Sequence, residues 1–122
     1  METNEPEVKE ITRDALAQKR RNGEPFILVD VLSHDHFMQV HIPGAINVPV
    51  NLLHDLAPLL FSPADEIIVY CANFHCTASV TAAKLLLRHG YEHVFDYTGG
   101  IMDWEEGGLP VTRAIPPQEK AA

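Results

Sequence analysis

Three short apolar runs place the strongest limits on what this chain can fold into. They are FILVDV at 26–31, IIVY at 67–70 and VFDY at 94–97. Each run is short and rich in β-branched residues, which predicts buried strands. A helix is predicted before the first run, from Arg13 to about Asn22, and the clearest helix lies between the second and third runs, from Thr77 to His89. Strands that alternate with helices predict an α/β fold, with a mainly parallel sheet covered by helices on both faces.

Composition narrows the possible functions. The 122 residues suit one domain, and 46% of them are apolar, which is enough for one core. The net charge of −8 argues against nucleic-acid binding, which requires a basic face. No apolar run approaches the roughly 20 residues that cross a membrane, and the start METNEPEVKE has no signal-peptide character. We therefore expect a cytoplasmic protein with no membrane partner.

The two cysteines of the chain, Cys71 and Cys76, flank a short loop that follows the second apolar run. Functional sites in parallel sheets lie at the carboxyl ends of strands. A tight loop that enters a helix turns backbone N–H groups toward one point, and these groups stabilise a thiolate. The sequence therefore predicts a nucleophilic Cys71 beside an anion-binding loop.

The second cysteine leaves two interpretations open. Cys76 either resolves an oxidised or sulfur-bearing Cys71 by forming a disulfide, or it is a small apolar filler at the start of a helix. We favour the filler, because a tight loop often aims two side chains apart and a disulfide requires specific geometry. A permanent disulfide is also not expected in a reducing cytoplasm.

Three ordered segments resemble the rhodanese family of sulfurtransferases. VYCANFHCTASVTAAKLL is similar to the family's active-site strand, loop and helix. The segment at 27–50, ILVDVLSHDHFMQVHIPGAINVPV, resembles the family's His-Ile-Pro-Gly-Ala block. The segment at 94–111, VFDYTGGIMDWEEGGLPV, resembles its closing Gly-Gly turn, Trp and Gly-Leu-Pro ending. The resemblance covers about residues 8–112.

This resemblance implies a rhodanese-like three-layer sandwich with about five strands over residues 8–112, between flexible ends at 1–7 and 113–122. Cys71 would take sulfur from a small donor such as thiosulfate, hold it as a persulfide and pass it to a thiol or cyanide acceptor. No metal or organic cofactor is implied. The persulfide's charge would be held by backbone N–H groups of the substrate-binding loop, namely Ala72, Asn73, Phe74, His75, Cys76 and Thr77.

The loop departs from the family pattern in two ways that bear on its chemistry. It contains no Arg or Lys, and Phe74 occupies the position where glycine is usual. Without fixed positive charge, a dianion such as thiosulfate should bind less well. Thr77 stands where a cysteine phosphatase requires arginine, so phosphoryl chemistry is not expected. The alternative is a non-enzymatic binding or redox-sensing module that uses Cys71 and Cys76.

Other polar residues receive structural interpretations. The spacing of His34, His36 and His41 matches no zinc motif, so we expect no metal site, and a structural hydrogen bond is expected for His41. Asp30, at the end of a strand, either orients the cysteine loop or caps the helix that follows it, and we favour the cap. Trp104 is expected in or near the core.

Overall fold

The computed structural model describes residues 5–113, which form a five-stranded sheet with helices on both faces. The strands are β1 (Lys9–Ile11), β2 (Ile27–Asp30), β3 (Ile46–Asn47), β4 (Glu66–Tyr70) and β5 (His93–Tyr97). Their spatial order is β1-β5-β4-β2-β3, and every neighbouring pair is parallel. The predicted fold class is confirmed. Of the ends predicted to be flexible, residues 1–4 and 114–122 lie outside the described range.

The helices are α1 (Arg13–Arg21), α2 (His34–Gln39), α3 (Val50–Leu60), α4 (Ala78–Arg88) and α5 (Gly100–Glu106). The predicted helices α1 and α4 are both confirmed to within a residue or two at each end. The Thr12 side chain caps α1 by accepting the Ala15 N–H at 3.1 Å. Within residues 5–113, every helix is too short or too polar to cross a bilayer.

Alternation along the strands builds the three layers. Ile67 and Val69 of β4 face α3 and α4, whereas Ile68 and Tyr70 face α1 and α5. Each face therefore has its own apolar cluster, and β4 lies between β2 and β5 in the middle of the sheet. Cys71 continues the alternation and turns toward the α4 side, which places its sulfur beneath the start of that helix.

Asp30 does not cap the following helix, and this expectation was wrong. The N-cap of α2 is Ser33, whose hydroxyl accepts the His36 N–H. Asp30 is the last residue of β2 and is fully buried, where its Oδ1 accepts the Leu32 N–H at 2.9 Å. The strand therefore ends too early for Asp30 to reach the helix. The expectation for Trp104 is confirmed, since it is 1% exposed and donates to the Pro110 carbonyl.

A buried hydroxyl ties the centre of the sheet to the segment that follows α2. Tyr70 Oη accepts the Ile42 N–H at 3.0 Å. The same hydroxyl lies beside the Asp30 carboxyl and partly offsets the rise in the pKa of that group, of which burial is the larger cause. Burial likewise raises the pKa of Tyr70 itself far above its usual value. The hydroxyl is therefore neutral and available for both neighbours.

We expect Tyr70→Phe to lower the free energy of unfolding by about 1–3 kcal/mol, because it leaves the buried Ile42 N–H without an acceptor and removes a polar neighbour of the buried Asp30 carboxyl. Denaturant titration of the folded variant measures the loss. Tyr91→Phe is the matched control, since Tyr91 is also buried but no hydrogen bond is found for its hydroxyl within residues 5–113. Equal losses in the two variants would contradict the structural role of the Tyr70 hydroxyl.

Candidate active site at the cysteine loop

The loop from Cys71 to Thr77 joins the carboxyl end of β4 to α4, as predicted. Its first two peptide units are held by α5. The carbonyl oxygens of Cys71 and Ala72 accept the N–H groups of Ile101 and Met102, each at 3.0 Å. The start of the loop is therefore fixed by main-chain hydrogen bonds, independently of its side chains.

Gly100 makes this contact possible. Its φ of 69° lies in the left-handed region, which glycine adopts without steric cost. A Cβ at this position would lie 2.5 Å from the Cys71 carbonyl oxygen and 2.7 Å from the Ala72 carbonyl carbon. The Gly-Gly turn of the sequence thus serves the approach of α5 to the cysteine loop.

The middle of the loop folds back on itself around Asn73. The Asn73 side-chain oxygen accepts the His75 N–H at 2.9 Å, and its carbonyl accepts the Cys76 N–H at 3.1 Å. This side-chain turn is typical of asparagine. It brings Cys76 back toward Cys71, with the two Cα atoms 6.4 Å apart, and the two sulfur atoms form a disulfide.

The disulfide corrects our expectation that Cys76 is only an apolar filler. A tight loop often aims two side chains apart, but here the Asn73 turn reverses the chain. The Cα separation is within the range that disulfides span. Both cysteines of the chain are engaged in this bond.

The remaining predicted site residues form the surface of the loop. Cys71 is 1% exposed, whereas Phe74 is 66% exposed. His75 and Thr77 are also exposed. Within residues 5–113, no protein acceptor is found for the amides at 72, 73, 74 and 77, while those of His75 and Cys76 are used inside the loop. Four of the predicted anion-binding amides are therefore not engaged by the protein in this disulfide form.

The surroundings of the loop are acidic. A cavity next to Phe74 and His75 is also lined by Met102, Asp103 and Glu106. The carboxylate of Asp103 is partly neutralised, because it accepts hydrogen bonds from Arg13 at 3.0 Å and from Tyr97 at 2.6 Å. These carboxylates disfavour a highly charged anion at the mouth of the site.

Two buried polar residues beneath the loop escaped sequence reasoning. Ser79, in the first turn of α4, places its hydroxyl oxygen 3.4 Å from Cys71 Sγ. Asp96 lies on β5 and pairs with Val69 of β4. Ser79 and Asp96 are each 2% exposed. The available signals were a polar residue on the apolar face of α4 and an acid inside the run VFDY.

The Asp96 carboxyl is unusual in its setting. Burial raises its pKa, the neighbouring Ser79 hydroxyl partly offsets this rise, and the charge of Glu10 on β1 adds to it. Its Oδ1 has no hydrogen-bond partner within residues 5–113. A buried carboxyl with an unpaired oxygen costs stability unless it gains a proton or a partner. Asp96 therefore carries a free-energy cost of burial that its packing does not explain.

The raised pKa values of two buried carboxyls predict how the stability of the fold varies with pH. Burial raises the pKa of both Asp30 and Asp96 above the usual 3.8. The folded state then binds more protons than the unfolded state, so stability falls as pH rises through the raised values. We expect Asp96→Asn to lose part of this decline, which denaturant titrations from acidic to neutral pH would measure. An identical pH dependence in the two proteins would contradict the burial effect at Asp96.

The histidines after β2 lie in two different settings. Within residues 5–113, no three His, Cys, Asp or Glu side chains come together as possible ligands. His41 has the predicted structural role, because its Nδ1 lies 2.8 Å from the Phe37 carbonyl and its ring stacks on Phe37 at 3.7 Å. His34 and His36 line a separate shallow cavity with Leu52 and Ala78.

Comparison with curated proteins finds relatives over most of the chain. It is 32% identical over 107 residues to a sulfurtransferase of Allochromatium vinosum, with 85% of this chain and 94% of that protein covered. It is 37% identical over 106 residues to the HTH-type transcriptional regulator Rv0324 of Mycobacterium tuberculosis. That match covers 87% of this chain but 46% of the regulator, so the chain spans about half of that relative.

Solved structures and a family model agree with these relatives. The solution structure of the Rhodanese-like domain from the Anabaena sp. Alr3790 protein has a TM-score of 0.80 at 26% identity. The match covers 95% of this chain and 90% of that one. The model of the Rhodanese-like domain matches residues 12–107, which is more than half of the chain. The chain therefore belongs to the rhodanese-like domain family.

Proposed function

We propose that this chain is a sulfurtransferase that carries sulfane sulfur as a persulfide on Cys71. One observation carries the proposal. Cys71 lies at the carboxyl end of β4 under the start of α4, in a loop whose amides at 72, 73, 74 and 77 have no protein acceptor within residues 5–113. Such amides stabilise an anionic sulfur without a metal ion or organic cofactor.

The reaction starts from the reduced loop. A thiol reductant opens the Cys71–Cys76 disulfide, and the Cys71 thiolate then attacks the outer sulfur of a donor. The donor's sulfur–sulfur bond breaks, and Cys71 holds the transferred atom as a persulfide. An acceptor thiolate next attacks the outer sulfur of this persulfide and leaves with it. Covalent catalysis of this kind divides one difficult transfer into two easier steps.

The charges near the loop favour one class of donor. Residues 71–77 contain no Lys or Arg, and Asp103 and Glu106 line the neighbouring cavity. A dianion such as thiosulfate therefore receives little compensation, whereas a small persulfide with a lower charge meets less repulsion. The exposed Phe74 and Met102 provide apolar contacts for the organic part of such a donor. A low-molecular-weight persulfide is thus the preferred donor, and a thiol is the preferred acceptor.

Mass spectrometry of the reduced full chain tests this function. We expect a small organic persulfide to add the mass of one sulfur atom, with thiosulfate slower than the persulfide. Prior alkylation of Cys71, located by peptide mapping, should block the gain. Failure of every persulfide donor and of thiosulfate to add sulfur would refute the proposed function.

The disulfide favours a second candidate function, a redox-sensing module. In the bonded form Cys71 is buried and has no free thiolate. Mild peroxide followed by a thiol reductant should then interconvert the two forms. Reversible disulfide formation in a protein that takes up no sulfur would support sensing over transfer. Absence of the disulfide after peroxide treatment would exclude this candidate.

A further inference from the structure

A buried polar connection leads from the candidate nucleophile to the next strand. Cys71 Sγ lies 3.4 Å from Ser79 Oγ. Asp96 pairs in register with Val69, two residues before Cys71 on the same face of the sheet, and the Ser79 hydroxyl partly offsets the rise in the pKa of its carboxyl. All three residues are on the face of the sheet that packs against α4, and all are at most 2% exposed. The proposed sulfur transfer gives no part to Ser79 or Asp96.

The charge of the loaded site creates a difficulty that this connection resolves. A persulfide anion on Cys71 and an ionised Asp96 would be two like charges in a region almost without water, which is strongly unfavourable. No Lys or Arg in residues 71–77 offsets them. Among the groups packed against Asp96, Glu10 of β1 adds further negative charge, Ser79 of α4 is neutral, and Val69 of β4 is apolar.

We propose that Cys71, Ser79 and Asp96 form a proton relay that keeps one negative charge in the site throughout sulfur transfer. The proposal rests on the proposed function, since it describes how the same site changes its charge. Ser79 contacts the reacting sulfur. Asp96 acts through Ser79 and is therefore a positioning residue that stores a proton.

In the loading step, the site begins with a Cys71 thiol and an Asp96 carboxylate. The thiol proton passes to Ser79 Oγ while the Ser79 proton passes to Asp96. The thiolate so formed attacks the outer sulfur of the donor persulfide. The donor's sulfur–sulfur bond breaks, and the departing donor sulfur takes the proton of the transferred sulfur and leaves as a thiol. The site ends with a Cys71 persulfide anion and a neutral Asp96, so its charge is unchanged.

In the unloading step, an acceptor thiol gives up its proton to the outer sulfur of the persulfide and attacks that sulfur as a thiolate. The bond between the two sulfur atoms of the persulfide breaks, and the acceptor leaves as a protonated persulfide. Cys71 Sγ receives the electron pair. Asp96 returns its proton through Ser79 to this sulfur. The thiol and the carboxylate are thereby restored, and the site again carries one negative charge.

The first test measures the coupling without any sulfur donor. The alkylation rate of Cys71 in the reduced full chain is followed across pH by tandem mass spectrometry. We expect the midpoint of this profile to move to lower pH in Asp96→Asn, by about one pH unit or more, because a like charge has been removed. Asp55→Asn makes the same change at an exposed position on α3 and should leave the profile unchanged.

The second test measures return of the sulfur. The wild type is loaded with a small persulfide, and loss of the added sulfur to glutathione is followed by mass spectrometry. We expect this loss to slow by about 100-fold in both Asp96→Asn and Ser79→Ala, since proton transfer to a leaving group is typically worth this much. Thr81→Ala removes an exposed hydroxyl from the same helix and should not slow it.

The outcomes separate the relay from the proposed function. Suppose that the wild type takes up sulfur and that Asp96→Asn is folded. If the variant then has the same alkylation profile or the same unloading rate as the wild type, the relay is overturned but the proposed function stands. A wild type that takes up no sulfur overturns the proposed function and the relay with it. Circular dichroism establishes folding. If Asp96→Asn does not fold, the test rests on Ser79→Ala. If Ser79→Ala then loses its sulfur as fast as Thr81→Ala does, the relay is overturned.

Discussion

Cys71→Ser should reduce sulfur transfer to the uncatalysed rate, a loss of roughly a thousand-fold or more, since removal of a covalent nucleophile is among the costliest changes to an enzyme. A serine hydroxyl at this position remains protonated near neutral pH, and an oxygen nucleophile does not form a persulfide. Formation of thiocyanate from cyanide measures the loss, with thiosulfate and a small persulfide compared as donors. The change is small in volume, so the fold should remain intact.

Cys76→Ser is the matched comparison for this variant. It also removes the disulfide and changes one sulfur to oxygen in the same loop. We expect it to take up sulfur at Cys71, because the nucleophile remains. Equal losses in the two variants would contradict a unique role for Cys71 and would favour a function that depends on the disulfide.

Gly100→Ala should lower the free energy of unfolding by about 2–5 kcal/mol, or else force the cysteine loop to move at a similar cost in free energy. Two effects add. A non-glycine residue with φ of 69° costs roughly 1–2 kcal/mol, and overpacking typically costs a further 1–3 kcal/mol. The added Cβ would meet the main chain of Cys71 and Ala72, which cannot rotate away as a flexible side chain does. Denaturant titration measures the change, and sulfur uptake should fall with it.

Gly23→Ala separates the two effects. Gly23 has the same φ of 69°, but a Cβ there would meet nothing within 4 Å. It should therefore show only the backbone cost of roughly 1–2 kcal/mol and should keep full sulfur uptake. If both variants lost the same stability and the same activity, the close approach of α5 to the loop would have no functional importance.

The layered fold could be read from the sequence because burial on both faces leaves a simple pattern. A central strand such as β4 must be apolar on both sides, so it is recognisable without knowing its neighbours. The start of α4 and the position of Cys71 followed from the same pattern. Local polar chemistry was less predictable, as the wrong assignment of Asp30 shows.

The missed features depend on contacts between segments that are distant in sequence or on the exact path of a short loop. Ser79 and Asp96 are unremarkable in their own elements, and they acquire importance only when α4 packs across β5. The disulfide depends on the Asn73 turn, which is specified by one side-chain hydrogen bond. Periodicity records which face of an element is buried, but it does not record which polar atoms meet there.

The hydrogen bonds from Ile101 and Met102 to the carbonyls of Cys71 and Ala72 have an evolutionary consequence. They hold the proposed nucleophile in place through main-chain groups and not through side chains. The exposed side chains at 74 and 75 take no part in these bonds, so we expect substitutions there to leave the start of the loop in place. Under the proposed function, single substitutions at these two positions should change the preferred sulfur donor while the main-chain support of Cys71 is kept.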